Sequence, residues 1–419
     1  MAALFRVPVL AAIVAGLTAF PLGLLIMVRA SSGPLHDSDV ALIQVHGTVQ
    51  ILGWAGLFIV GVASHAVPRF FGNTAIPFPW PQRLTVVLIV AGLGLRALAQ
   101  PGTWLPYRDV LLTTAGLAIA AGWLVFAWTL FVVLRAGSEG QRMVAGWFWL
   151  GLAGAAGAAL AYLGLSIDLA ARVEVDRVAF VDPAWNTAFQ QIALFGFILP
   201  FTFGFSARAV AAFLRLPPRD LRADRAAMVL VALGTLLAAL GASGGHGHIL
   251  SRAGALLIAA AIVIFTLALR ILPPLWSGQP LADRWLHRYA GTAYAWLLVG
   301  AVLIAVGAVA PDGSWSVART ASLHVVTVGF LTTLILGFAH KALPLFSRHP
   351  LPLPRAVPVA FGLLQLGVAL RLAGNLLGPV DIDPSVLRMG GVFSLLGFVA
   401  GVVPLAVLLL RSNPDRTPS

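Results

Sequence analysis

Residues 41–71 read ALIQVHGTVQILGWAGLFIVGVASHAVPRFF. No Asp, Glu, Lys or Arg interrupts the run from Ala41 to Pro68. At about 1.5 Å per residue a helix of this length crosses the ~30 Å hydrocarbon core of a bilayer. Similar runs recur at residues 7–28, 84–99, 110–134, 143–167, 188–213, 226–242, 253–272, 289–309, 321–345, 356–377 and 386–410. Twelve membrane-spanning helices are therefore predicted, with residues 1–419 forming one all-α polytopic membrane domain and no soluble domain between spans. The composition agrees: 10% of residues are charged, against roughly a quarter in soluble domains. The first run is longer than a secretory h-region and is read as a retained helix.

The net charge of +12 comes from 27 Lys and Arg against 15 Asp and Glu. These basic residues sit in short inter-helix loops, so they read as topology signals and not as a nucleic-acid surface. With both termini cytoplasmic, roughly 18 of them fall on the inner side and about 9 outside, as the positive-inside rule requires. The expected location is the cytoplasmic (inner) membrane, with the lipid bilayer as the main partner. The acidic residues Asp168, Glu174, Asp176 and Asp182 then form a solvated outer cap. The chain has no cysteine, which excludes disulfides and thiolate-bound metal and leaves nine histidines as the soft-metal or haem ligands.

An internal repeat organises the spans. Gly61-Val-Ala-Ser-His-Ala-Val-Pro68 ends span two, Gly337-Phe-Ala-His-Lys-Ala-Leu-Pro344 ends span ten, and Gly204-Phe-Ser-Ala-Arg-Ala-Val-Ala closes span six as a weaker copy. The pattern predicts three four-helix units, residues 1–134, 143–272 and 289–410. An even number of spans keeps their orientation parallel about an axis along the membrane normal. Small residues are also common wherever membrane helices pack closely, which is the simpler origin of such a pattern.

Spans two and ten each carry a His at both ends: His46 and His65, His324 and His340. The members of each pair are ~28 Å and ~24 Å apart along the helix, so they lie near opposite membrane faces. Parallel helices let His46 meet His324 at the outer face and His65 meet His340 at the inner one, the arrangement of a bis-imidazole haem site. Hydrogen-bonded interfacial imidazoles would occupy the same positions. His65 and His340 are one residue out of step, about 100° around the helix. Arg96 in span three and Arg371 in span eleven lie toward the outer ends and suit the two propionates of a haem, or simple snorkelling to headgroups. His246 and His248, in the Gly-rich link after span seven, are candidate copper or zinc ligands. Span six has Gln190 and Gln191 in place of a His, and His36, His287 and His349 are read as loop residues.

On His46-Gly-Thr-Val-Gln-Ile-Leu-Gly-Trp-Ala-Gly through His65-Ala-Val-Pro-Arg-Phe, and on Leu323-His324-Val-Val-Thr-Val-Gly, the chain resembles the NnrS family, haem- and copper-containing membrane proteins of the nitric-oxide response. It is more distantly similar to subunit I of haem-copper oxidases. That resemblance implies haem, b-type, on His46 and His324, copper at His246 and His248, and a propionate contact at Arg371. Ser322 stands where an oxidase carries its high-spin haem ligand, and span six lacks a copper-binding His. No Asp or Glu falls inside any predicted span, which argues against proton pumping.

The leading expectation is a haem-binding redox or gas-sensing membrane protein, open to a diatomic gas ligand and to a quinol or other electron-transfer partner at the inner face near Arg208 and Lys341. A small-molecule or metal permease is the alternative from another class. It predicts inverted repeats or broken mid-membrane helices, and neither is evident. A quinol-linked nitric oxide or oxygen reductase is disfavoured by the missing ligands. An enzymatic role, if any, would be that of an oxidoreductase.

Overall fold

The computed structural model describes residues 4–30, 32–72, 76, 79–137, 142–174, 177–242, 247–272, 283–310, 315–377 and 385–411, with backbone only at 142–143, 247–248, 315–317 and 377. Twelve helices are long and apolar enough to cross a membrane: Arg6–Ala30, Asp37–Phe70, Trp80–Ala99, Arg108–Arg135, Val144–Ala171, Pro183–Leu214, Leu221–Gly241, Ile249–Leu269, Arg284–Val309, Ala318–Ser347, Ala356–Leu376 and Ser385–Arg411. No strand occurs among the described residues. The protein is an all-α integral membrane protein.

Several helices begin four or five residues earlier than their apolar runs suggest, and three of these extensions carry an ionisable side chain inward. In those three the runs start at Ala41, Ala226 and Tyr289, whereas the helices start at Asp37, Leu221 and Arg284. Asp39, Asp224 and His287 are consequently helical and buried, which corrects both the expectation that spans hold no carboxylate and the reading of His287 as a loop residue. The cause is local compensation of charge. Asp39 lies 2.6 Å from Arg29, and Asp224 lies 2.9 Å from Arg219, so each carboxylate enters the protein with its counter-ion.

The chain divides into two compact units, one running up to Gly204 and including Met228–Leu257, the other comprising Phe205–Ala227 and the chain from Ile258 onward. In the first, rings of spans four, five and six interlock. Trp123 meets Phe197 edge-on at 4.8 Å, and Phe201 stands 5.8 Å from Phe126 and 5.6 Å from Phe148. Such pairs add roughly 0.5–1.5 kcal/mol each beyond the area they bury. In the second unit, Tyr289 packs on Phe361 at 5.0 Å and Tyr294 on Phe330 at 5.3 Å.

Spans two, six and ten are the most buried and share a distortion. Each contains a π-helical stretch, Val49–Gly56, Ile192–Ile198 and Val325–Thr332 respectively. The stretches begin twelve residues before Gly61, Gly204 and Gly337. All three glycines take a side chain of the preceding span where a Cβ would stand: Val9 at 2.7 Å, Phe148 at 3.1 Å and Tyr289 at 2.3 Å. Eight residues earlier the π stretches carry Gly53, Gly196 and Gly329, again at close approaches. A Cβ on Gly53 would lie 2.7 Å from Ala15, and one on Gly154 only 1.9 Å from the Gly196 carbonyl oxygen. The wider π turn is supported in span ten by hydroxyls that reach back five residues, Thr332 to the Thr327 carbonyl at 2.9 Å and Thr333 to that of Val328 at 3.3 Å. Segments of this kind are rare and cluster at functional sites.

Candidate functional site

In the first unit, His46 stands in span two just before the π stretch. Its Nδ1 lies 2.9 Å from the Ala19 carbonyl oxygen. A carbonyl can only accept, so Nδ1 carries the proton and Nε2 keeps its lone pair. Gly23 gives the ring its seat, since a Cβ there would fall 2.7 Å from His46 Cε1.

Arg96 is 2% exposed and has no carboxylate partner among the described residues. Its Nε donates to Gln100 Oε1 at 3.1 Å and its Nη1 to the Tyr162 hydroxyl at 2.9 Å, while Nη2 is buried without a hydrogen-bond partner. Gln100 in turn donates to Gln44 Oε1 at 2.6 Å, which also accepts the Val181 amide at 3.1 Å. Gln44 is two residues from His46, so one neutral network ties the arginine to the helix that bears the imidazole. Arg108 fastens the link between spans five and six over it by donating to the carbonyls of Ala99, Gln100, Glu174 and Arg177. Arg172 bridges Asp168 and Asp182, and Arg177 pairs with Glu174. Asp176 lies outside the described residues.

In the second unit, His324 Nδ1 lies 2.9 Å from the Thr320 carbonyl oxygen, so it too carries its proton on Nδ1. Its Nε2 accepts from Arg371 Nη2 at 3.0 Å. Arg371 therefore sits on the imidazole itself. His340 has the opposite tautomer: Nε2 donates to the Gly401 carbonyl at 2.8 Å, and Nδ1 is buried without a hydrogen-bond partner. The Tyr289 ring meets it edge-on at 5.8 Å. His65, in the first unit, packs edge-on against Phe5 at 5.3 Å, and its carbonyl accepts from Arg69.

The remaining histidines separate from these. His287 is buried and its Nε2 donates to the Ile271 carbonyl at 3.1 Å. His36 stands at the N-terminal cap of span two, and His349 Nδ1 bonds the Ser347 carbonyl at 2.6 Å. His246 lies outside the described residues, and His248 is described by its helical backbone alone. Among the described residues no group of three or more His, Asp or Glu gathers to hold a metal ion.

Sequence reasoning missed Gln44, Gln100, Tyr162, Asp39 and Asp224. Gln100 follows Arg96 by four residues, the spacing at which helical side chains meet, and was the legible signal. Tyr162, on another span, left none.

Twelve apolar spans, with histidines and arginines held inside them by carbonyls and neutral side chains, define a polytopic membrane protein. Residues 1–412 match the NnrS protein family, and the chain belongs to that family. No curated protein matches it.

Proposed function

We propose that this NnrS-family protein binds haem, b-type, with His46 and His324 as axial ligands and Arg96 and Arg371 on the propionates. It acts in redox chemistry or gas sensing within the nitric-oxide response. The observation that carries the reading is the state of the two imidazoles: each donates Nδ1–H to a backbone carbonyl, which leaves Nε2 as the basic nitrogen. That is the outer-shell arrangement typical of metal-ligating histidines. The buried Arg96 Nη2 suits a carboxylate, and Arg371 would give up Nε2 of His324 and turn its donors to one. Haem held there would supply one-electron redox chemistry and affinity for diatomic gases.

The rest of the proposal follows from the sequence pattern. The spans form three parallel four-helix units in the inner membrane with cytoplasmic termini. A quinol or other electron-transfer partner uses the inner face, and His246 with His248 holds copper. The inner histidines His65 and His340 are the second haem position, supported by the unpartnered Nδ1 of His340.

Absorbance spectra of the detergent-purified protein, oxidised and dithionite-reduced, test the first claim. A low-spin spectrum is expected in the wild type, and a high-spin spectrum or loss of haem in His46→Ala and in His324→Ala. An unchanged low-spin spectrum in both folded variants would place the ligands elsewhere. Absence of a Soret band from the haem-reconstituted wild type would end the reading.

A further inference from the structure

Where span six ends and span seven begins, the second unit holds a polar cluster that the haem reading does not use. Arg219, in the link between these spans, is its hub. Nε and Nη2 reach Asp224 Oδ2 at 3.0 and 2.9 Å, and Nη1 donates to the Ala207 carbonyl. Asp224 is 0% exposed, and its other oxygen, Oδ1, is buried without a hydrogen-bond partner. Ser206, next to Ala207, is also 0% exposed. The Tyr294 hydroxyl of span nine faces both Ser206 and the Arg219 charge, and Asp220 faces Asp224.

An orphaned carboxylate oxygen in a buried cluster is costly, losing roughly 1–3 kcal/mol if left dry. Native proteins satisfy such groups with ordered water. The cluster also has a direction. Asp224 is three residues inside span seven, Ser206 eight residues before the end of span six, and Tyr294 ten residues inside span nine. These positions correspond to depths of about 5, 12 and 15 Å from the same end of the spans. Oxygen-bearing side chains thus lead inward from the aqueous boundary, with a carboxylate at the mouth.

We propose that Asp224, Ser206 and Tyr294 line a hydrated pocket in which Asp224 is a proton-exchanging group open to the Arg219 end of the protein. Uptake adds one proton from bulk water to Oδ1 and neutralises the carboxylate. Release returns that proton to water by the same route, and Oδ2 stays on Arg219 throughout.

Infrared difference spectra of the full chain between acid and neutral pH, in H2O and in D2O, test this. A carboxyl band that titrates with bulk pH and shifts in D2O is expected in the wild type and should be missing from Asp224→Asn. Identical wild-type and Asp224→Asn difference spectra would overturn the proposal, as would an Asp224 band blind to D2O. Ser206→Ala gives an arm that does not depend on the folding of the Asp224 variant. If Ser206 holds water, its loss should slow deuterium exchange of the carboxyl band and lower the melting temperature. A higher melting temperature with an unchanged band is what removing a dry buried hydroxyl would produce, and it would overturn the hydrated pocket.

Discussion

Span six keeps the π stretch, the glycine pair and the buried position of spans two and ten, yet carries other side chains where they carry histidine. Counting back from Gly61, Gly204 and Gly337, the position of His46 is Phe189 in span six and Ser322 in span ten. The position of His324 is Gln191 in span six and Thr48 in span two. The helical distortion and the close glycine contacts are therefore common architecture, present with or without an imidazole. Nor are His46 and His324 equivalent to each other. They are two residues out of step, about 200° around an α-helix, so each was placed by its own span and not by the repeat.

The sharpest way to break this comparison is to attack the shared backbone where span six alone is involved. A Cβ on Gly154 would lie 1.9 Å from the Gly196 carbonyl oxygen, and backbone cannot rotate away as a side chain can. Gly154→Ala should cost at least about 3 kcal/mol, the upper range for overpacking, and little folded protein should survive detergent extraction. Gly47→Ala is the control, because nothing lies within 4 Å of a Cβ there. In a helix interior it should stabilise by roughly 0.5–1 kcal/mol. Equal melting temperatures for the two variants would mean that spans five and six do not touch at the π stretch.

Next in size is the seat of His46. Gly23→Ala puts a methyl 2.7 Å from Cε1, which displaces the ring and breaks the bond from Nδ1 to the Ala19 carbonyl. Losses of about 1–2 kcal/mol are expected from one such bond and the misfit. If His46 is an axial ligand, the low-spin spectrum should weaken as well. Gln191→His in span six should leave that spectrum unchanged, since the architecture it enters is shared but its ligand role is not. A stronger or shifted spectrum in Gln191→His would make span six a latent third site and undo the distinction drawn above.

The twelve spans were legible because uncharged length is enough to identify a membrane helix, and their ends were misread for the same reason. Counting apolar residues stops at the first charge, whereas Asp39 and Asp224 are carried into the helix by Arg29 and Arg219. The candidate histidines were visible as rare polar residues at membrane depth. What held them was not: the acceptors are the carbonyls of Ala19, Thr320 and Gly401, and every residue has a carbonyl. The π stretches were hidden because a five-residue bond register leaves the apolar pattern almost unaltered. Only the paired glycines eight residues apart and the adjacent Thr332-Thr333 hinted at them.

The smallest effect concerns the far end of the same three spans, where four residues past the glycine stand His65, Arg208 and Lys341. Lys341 Nζ lies 2.8 Å from Asp283 Oδ2, with the pair partly exposed. Asp283 Oδ1 also caps span nine by accepting the Leu286 amide at 2.9 Å. Burial pushes the Asp283 carboxyl up, but the bonds from Lys341 and Leu286 outweigh it and hold the group below its ordinary value. A carboxylate depressed in the folded state contributes stability above its unfolded pKa of about 4, and that contribution is lost as pH falls through the lower folded value. Asp283→Asn keeps a good capping side chain and removes only the charge, so it isolates the ion pair. For a partly exposed pair that is worth about 0.5 kcal/mol, or on the order of 1 °C in a chain this long. The variant should melt lower than wild type at pH 7, and the gap should close as the pH falls below about 4. A gap that stays constant down to pH 3 would mean that the cap and not the ion pair carries the difference.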